Sequence, residues 1–262
     1  MKVYPSDRLF FARKISMERP TNKELFQFLD ITTLSVSDTE DSLRHLVNTV
    51  LSYQANGFVP AAICVYPNFS ALVSSLLRQT PIATAAVAAG FPASQSFLEV
   101  KLAEAKMAVQ AGANEVDVVL NIGQFLMGNE QVAVNEIRDL KAIIGPTKLK
   151  VILETGVLKD GISIQRAAQL AILGGADFLK TSTGKVDLGA TPEAVGVMCE
   201  VVKEEYGRTG RKIGIKVSGG VRTKEDALSY YALVYEILGK DFCQSDFFRI
   251  GASSLADTLV NE

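Results

Sequence analysis

Eight short apolar runs alternate with helix-patterned segments along this chain, and that alternation admits very few folds. The runs are Phe28–Leu34, Ala61–Tyr66, Ile82–Val87, Glu115–Leu120, Leu149–Leu153, Phe178–Thr181, Lys212–Val217 and Phe247–Gly251. Each is brief and bounded by turn residues, as buried strands are. Between them apolar residues recur at helical spacing: Leu98, Leu102, Ala105 and Val109 form one series, Val195, Met198 and Val202 another. The second series is introduced by Thr191-Pro192-Glu193, an N-cap followed by proline at the first helical position. Thr223-Lys224-Glu225-Asp226 opens a third helix. Strands alternating with helices imply a parallel sheet, and eight such units favour a closed (β/α)8 TIM barrel over an open doubly wound sheet. The 262 residues match the typical length of about 250 for that barrel. The domain reading is an N-terminal extension over 1–24, mixed polar and proline-containing, and one barrel over 25–262.

Composition removes several function classes. The net charge of −2 offers no basic surface for nucleic acid or an acidic membrane. No apolar run reaches the roughly 18 residues of a membrane span, and no signal peptide is visible. Three cysteines, Cys64, Cys199 and Cys243, have no metal-ligand spacing and fit a reduced, cytoplasmic protein. His45 is the single histidine. This excludes Ser-His-Asp and Cys-His triads and histidine-rich metal sites. His45 itself, beside Leu46 and Val47 in a helical stretch, is read as structural.

The chemistry concentrates at two lysines. Lys180 closes the run Phe178-Leu179-Lys180, and Lys216 lies near the end of Gly214-Ile215-Lys216-Val217. Lysine is almost never buried unless something pairs with it or uses it. Consecutive strands lie about 4.8 Å apart, so the two amines can approach closely. A second ammonium and desolvation both lower the pKa of a lysine, and a neutral amine attacks carbonyls to form Schiff bases. The bland alternative is that either lysine reaches out to solvent. Asp117 interrupts Val116-Asp117-Val118-Val119 and needs a partner inside. It reads equally as a proton-transfer group or as half of a structural salt bridge. A partial repeat bears on its orientation: Asp117 and Lys180 each fall five residues after a helix-ending glycine, Gly112 and Gly175. Equal offsets in a strand of period two mean equal facing. Asp30, Thr32 and Glu154 are secondary candidates, read as supporting polar groups.

Three glycine- or serine-bearing loops suit a phosphate: Thr183-Gly184-Lys185, Ser218-Gly219-Gly220 and Gly251-Ala252-Ser253-Ser254. Backbone N–H groups and helix N-termini attract anions there, and this fold often holds phosphate after its seventh and eighth strands. The P-loop pattern fails, because Leu179 stands where its first glycine belongs, and no GxGxxG occurs. No nucleotide cofactor and no metal are expected.

Through these segments the chain resembles the deoxyribose-phosphate aldolases, a family of class I aldolases. The matching residues are Glu115-Val116-Asp117-Val118-Val119, Val151-Ile152-Leu153-Glu154-Thr155-Gly156, Leu179-Lys180-Thr181-Ser182-Thr183-Gly184-Lys185, Gly214-Ile215-Lys216-Val217-Ser218-Gly219-Gly220-Val221-Arg222-Thr223 and Arg249-Ile250-Gly251-Ala252-Ser253-Ser254. The resemblance implies a (β/α)8 barrel that reversibly cleaves 2-deoxy-D-ribose 5-phosphate to acetaldehyde and glyceraldehyde 3-phosphate, without metal, in deoxyribonucleoside catabolism. It implies that Lys180 forms the Schiff base, Lys216 tunes it and Asp117 relays protons through water. Thr183, Gly184, Lys185, Gly219, Gly220, Ser253 and Ser254 would hold the phosphate. The partners implied are sugar phosphates and aldehydes, and a homodimer is admitted. Two other readings stand beside it: another Schiff-base barrel lyase acting on a keto-sugar phosphate, and a non-catalytic barrel that senses sugar phosphates. Some family members carry a C-terminal tail ending in tyrosine that can assist proton transfer. This chain has no tyrosine after Tyr235 and does not present that feature. Cys64, near the end of the second strand, is a candidate reactive thiol: facing the barrel mouth, it could trap an unsaturated aldehyde built from two acetaldehydes on Lys180. The competing reading is a small buried hydrophobe.

Overall fold

The computed structural model describes residues 19–262. Eight parallel strands pair in chain order and close on themselves: β1 Leu29–Thr32, β2 Ala62–Val65, β3 Ala83–Ala88, β4 Glu115–Val119, β5 Lys148–Ile152, β6 Phe178–Lys180, β7 Gly214–Ser218 and β8 Phe248–Ala252. The helices are α1 Asn22–Phe26, α2 Glu40–Ala55, α3 Ser70–Leu77, α4 Leu98–Gln110, α5 Ile122–Leu126, α6 Glu130–Ile144, α7 Thr155–Leu158, α8 Gly161–Gly174, α9 Pro192–Thr209, α10 Lys224–Leu238 and α11 Leu255–Asn261. The expected (β/α)8 barrel is present, with all eight predicted strands. Their ends move by a few residues because each parallel strand lasts only while its neighbours supply partners. Lys212 and Ile213 thus precede β7, whose pairing with β6 starts at Gly214.

Local chemistry starts the helices where the sequence placed them. Thr191 accepts a hydrogen bond from the Ala194 N–H, with Pro192 at the first helical position of α9. Thr223 and Asp226 form a reciprocal capping box on α10. Thr21 and Glu24 do the same on α1, which buries Leu25 and Phe26 and reaches the last helix through Asn22 Nδ2 donating to Leu259 O at 3.0 Å. Helix α1 crosses residue 25, the expected start of the barrel. The rest of the expected extension, residues 1–18, lies outside the described residues. No helix among the described residues is long and apolar enough to cross a membrane.

Period-two alternation divides each strand between two environments. Ile63, Val65, Val116, Val118, Leu149, Val151, Leu179, Ile215, Val217 and Ile250 face the helices and join one continuous core. The other set faces the barrel axis and is itself divided. Ala62, Cys64, Ala85 and Val87 of β2 and β3, with Leu34, make a small apolar cluster. The remaining six strands contribute Asp30, Glu115, Asp117, Lys150, Lys180, Lys216 and Arg249, all buried. At the floor of the barrel the Phe178 ring fills the space that Gly214 leaves open. A methyl group at 214 would overlap that ring. Gly214→Ala is therefore expected to cost about 1–3 kcal/mol through overpacking. Urea unfolding should show a lower midpoint with an unchanged slope, and Phe178→Leu in the same background should recover part of the loss.

Candidate active site

Lys180 is the last residue of β6, and Lys216 is its register partner in β7. Two side chains on the same face of adjacent parallel strands must lie side by side. Asp117, two strands away on β4, faces the same interior, as the equal offsets predicted. Its Oδ2 accepts from Lys180 Nζ at 2.8 Å and from Lys216 Nζ at 2.8 Å. Room for Lys216 comes from Gly251 on β8: a Cβ there would sit 3.2 Å from Lys216 Cε and 2.9 Å from Ser218 Cβ. Lys180 is 3% exposed and Lys216 is 0% exposed, so neither snorkels to solvent.

The network continues below this trio. Lys150, the register partner of Asp117 on β5, places its Nζ 2.6 Å from Glu115 Oε2, 3.0 Å from Asp30 Oδ2 and 3.0 Å from Asp117 Oδ1. Asp30 Oδ2 also accepts from Lys216 Nζ. Arg249 completes the floor, donating to Asp30 Oδ1 at 2.7 Å and to both Glu115 oxygens at 2.8 and 3.1 Å. The cluster thus holds four cationic side chains against three carboxylates. Their arrangement separates the lysines. Among the described residues Lys150 faces three carboxylates and Lys216 faces two, whereas Lys180 faces Asp117 alone.

The titration behaviour follows from that geometry. Burial lowers the pKa of Lys180, and the Lys216 ammonium adds to it, while Asp117 opposes. Burial also acts against the Lys216 ammonium, but Asp117 and Asp30 outweigh it and hold its pKa above the ordinary lysine value. Lys150 is raised still further, because Asp117, Asp30 and Glu115 together overcome its burial. Asp117 and Asp30 are held well below the usual carboxylate range: burial opposes this, and the surrounding cations prevail. A neutral amine can therefore arise most readily at Lys180, beside a carboxylate that stays ionised.

The three expected phosphate loops gather above the ends of β6, β7 and β8. Ser218 and Gly251 are register partners, which sets the loop carrying Gly219 and Gly220 beside the loop carrying Ser253 and Ser254. Gly219 has φ +84° and Gly220 φ +91°, a left-handed backbone that glycine adopts without strain. The loop after β6 folds over the end of β7, where Ala190 N–H donates to Gly219 O at 3.0 Å. Gly189 makes that crossing possible, since any side chain there would overlap the Gly219 backbone. Ser253 and Ser254 are exposed at the start of α11. Thr183 is differently engaged: its N–H and hydroxyl both donate to Glu154. In this structure Thr183 braces the loop, and Glu154, a secondary candidate in the sequence, is the anchor. Gly184 turns beside it with φ +75°. Lys185 Nζ crosses the mouth to donate to Leu34 O after β1.

Cys64 lies in the barrel interior, within the apolar cluster and near Lys216, Asp117 and Lys180. It is fully buried, and burial pushes its thiol above the ordinary cysteine pKa, so no standing thiolate is present. His45 is exposed on α2, away from this cluster. Thr32 donates to the Asp30 carbonyl at 2.8 Å. Sequence reasoning gave no role to Lys150, Glu115 or Arg249 and placed Asp30 in a supporting rank. A sequence signal existed for Glu115, which shares its strand and its facing with Asp117 under period two; Lys150 and Arg249 join the same interior only through register, opposite Asp117 and Lys216.

Comparison with known proteins agrees with this geometry. Residues 25–240 match the model of the DeoC/LacD family of aldolases. The human deoxyribose-phosphate aldolase is 38% identical over 272 aligned positions, covering 96% of this chain and 86% of its own length. The deoxyribose phosphate aldolase of Aeropyrum pernix, solved as a tetramer, superposes with a TM-score of 0.72 at 28% identity, covering 92% of this chain and 91% of that one. Triosephosphate isomerase from Bartonella henselae shares the fold alone, with 14% identity, a TM-score of 0.55 and coverage of 89% and 96%. A family match across most of the barrel and a relative that spans nearly the whole chain lead to one conclusion: this chain belongs to the DeoC/LacD family and is an aldolase.

Proposed function

We propose that the chain catalyses reversible aldol cleavage of 2-deoxy-D-ribose 5-phosphate to acetaldehyde and D-glyceraldehyde 3-phosphate, through a Schiff base on Lys180. The observation that carries this reading is the pairing of Lys180 with Lys216 across one ionised carboxylate, with Lys180 holding the fewest anionic partners. The neutral amine of Lys180 adds to the substrate carbonyl, and loss of water gives an iminium. That cation accepts the electron pair released when the carbon–carbon bond breaks, so no metal is needed as an electron sink. Asp117, hydrogen-bonded to both amines, is placed to accept and return protons through a water. Lys216 holds Asp117 ionised and disfavours an ammonium on Lys180.

The phosphate reading rests on the paired loops at Gly219–Gly220 and Ser253–Ser254, with Gly184 beside them. Thr183 supports that set through Glu154, and Lys185 closes the opposite rim. Cys64 is assigned as the trap for unsaturated aldehydes. Its position in the interior supports this assignment, and its raised pKa implies slow capture, with the thiol deprotonated only as it reacts. Phe97, Val100 and Met107 on one exposed face of α4 support assembly as a homodimer. Three free cysteines support a reducing, cytoplasmic setting.

The central test is acetaldehyde release from 2-deoxyribose 5-phosphate, together with borohydride reduction in the presence of acetaldehyde. A reduced two-carbon adduct is expected on the Lys180 peptide; an adduct on Lys216 or Lys185 would reassign the nucleophile. Lys216→Leu should lower kcat and move Schiff-base formation to higher pH, because Lys180 then keeps its proton longer. Asp117→Asn should lower kcat by about 10²–10⁴, the usual range for a positioned general base. If circular dichroism finds either variant unfolded, the group is structural instead. Ser254→Asp places a negative charge beside the phosphate loops. KM for the phosphorylated sugar should rise far more than KM for 2-deoxyribose, and an equal rise would place the phosphate elsewhere.

A further inference from the structure

Glu115 and Arg249 lie one layer beneath the reacting lysines and touch neither Lys180 nor the mouth. Their burial still needs a reason. A barrel floor can be filled with apolar side chains at no electrostatic cost, and a buried ion pair is often no more stabilising than apolar residues of equal volume. This pair is also held carefully. Arg249 grips both oxygens of Glu115, donates to Asp30 and, through Nε, to Ser245 O, and lies over the Phe178 ring with its guanidinium 5.6 Å from the centroid. Glu115 and Asp30 are in turn two of the three carboxylates around Lys150, whose amine reaches Asp117. An unbroken chain of ion pairs therefore runs from the floor to Asp117, the one carboxylate partner of Lys180 among the described residues.

We infer that Glu115 and Arg249 are positioning residues for the aldolase chemistry: they set the charge balance of the barrel interior and so decide whether Lys180 stands as an amine. This deepens the Schiff-base reading and rests on it. With four cations and three carboxylates sharing one water-poor interior, one cation is in surplus. Arg249 cannot give up its proton. Lys150 and Lys216 are held by several carboxylates each. The surplus is relieved at Lys180, which has one. Removing a floor charge changes that count, and the lysine with the weakest hold on its proton responds first.

The titratable groups facing this cluster are Asp30 on β1, Cys64 on β2, Asp117 on β4, Lys150 on β5, Lys180 on β6 and Lys216 on β7; β3 presents Ala83, Ala85 and Val87, none of which titrates. Lys148, half-exposed at the lower rim, lies 3.9 Å from Glu115 and is paired with Asp246 at 2.7 Å. Lys148 and Asp246 are the same in every variant below, so they do not alter the comparison.

The test is the pH profile of acetaldehyde trapping by borohydride, with the adduct mapped to its peptide, in wild type, Glu115→Gln, Arg249→Met and the double variant. Glu115→Gln removes an anion and enlarges the cationic surplus, so the profile should move to lower pH. Arg249→Met removes a cation, so it should move to higher pH. Each shift should be about one pH unit, the size of a Coulomb interaction across a few side chains inside a protein. The double variant keeps the net count and should return to the wild-type profile. Glu115→Asp, which keeps the charge, should stay at the wild-type position even if the yield falls. Shifts of the same sign, an unmoved profile, a double variant that stays displaced, or Glu115→Asp behaving as Glu115→Gln would each overturn the inference in favour of packing. If one single variant does not fold, the other keeps its signed expectation and the double keeps the return. An adduct on Lys180 with an unmoved profile sinks only this inference, whereas an adduct elsewhere in wild type sinks the Schiff-base reading with it.

Discussion

Burying charge inside a closed barrel is the constraint on which this structure turns. An unpaired ammonium or carboxylate in such a place would cost several kcal/mol, so each member of the cluster has to find opposite charge within hydrogen-bond reach. Asp30 and Asp117 do most of this bridging, one facing Lys150, Lys216 and Arg249 and the other facing Lys150, Lys180 and Lys216. The same requirement explains the small residues among them. Gly251 admits the Lys216 chain, and Gly214 admits the Phe178 ring that supports Arg249. Among the described residues Lys150 and Lys216 each have several carboxylate partners, whereas Lys180, at the top, has one. The proposed nucleophile is thus the lysine with the fewest anionic partners among the described residues of the cluster.

The interior is also asymmetric. Charge occupies β1 and β4–β8, and small apolar residues occupy β2 and β3. At the mouth the apolar side is extended by Tyr66 and Phe91, whose rings meet edge to face at 6.4 Å, with Tyr66 directed at the Leu34 carbonyl. Lys180 therefore has ionic groups on one side of it and an apolar wall on the other, the setting the proposed aldehyde adduct would occupy. Strands carry the reacting groups, and loops carry the expected phosphate site. This division suits the chemistry, because rigid strands hold proton-transfer distances more closely than loops do, and an anion is recognised by several N–H groups at once.

Lys180, Lys216 and Asp117 were legible as candidates because a charge inside an apolar strand is an anomaly visible in the sequence itself. The loops proposed for phosphate stand out as glycine and serine clusters after strands, although the clusters themselves do not show that Thr183 is spent on Glu154. That pairing joins residues 29 positions apart across two strand ends, and no local pattern announces it. Lys150, Glu115 and Arg249 went unassigned for a related reason. Each can be read locally as a strand-end charge directed at solvent. Only closure of the sheet turns their shared facing into a shared enclosure.

By itself the sequence determined the number and order of the strands, the helix starts at Thr191 and Thr223, and the common facing of Asp117 and Lys180. All of these follow from periodicity and from hydrogen bonds among near neighbours. The tertiary structure alone decided register and pairing. Register set Lys180 beside Lys216, gave Lys150 and Lys216 several carboxylates each and left Lys180 with one. The pKa of a buried amine depends on burial and on charges within a few ångströms, and those charges come from strands as many as 186 residues apart in sequence. Which lysine holds its proton least tightly is therefore a property of the closed barrel.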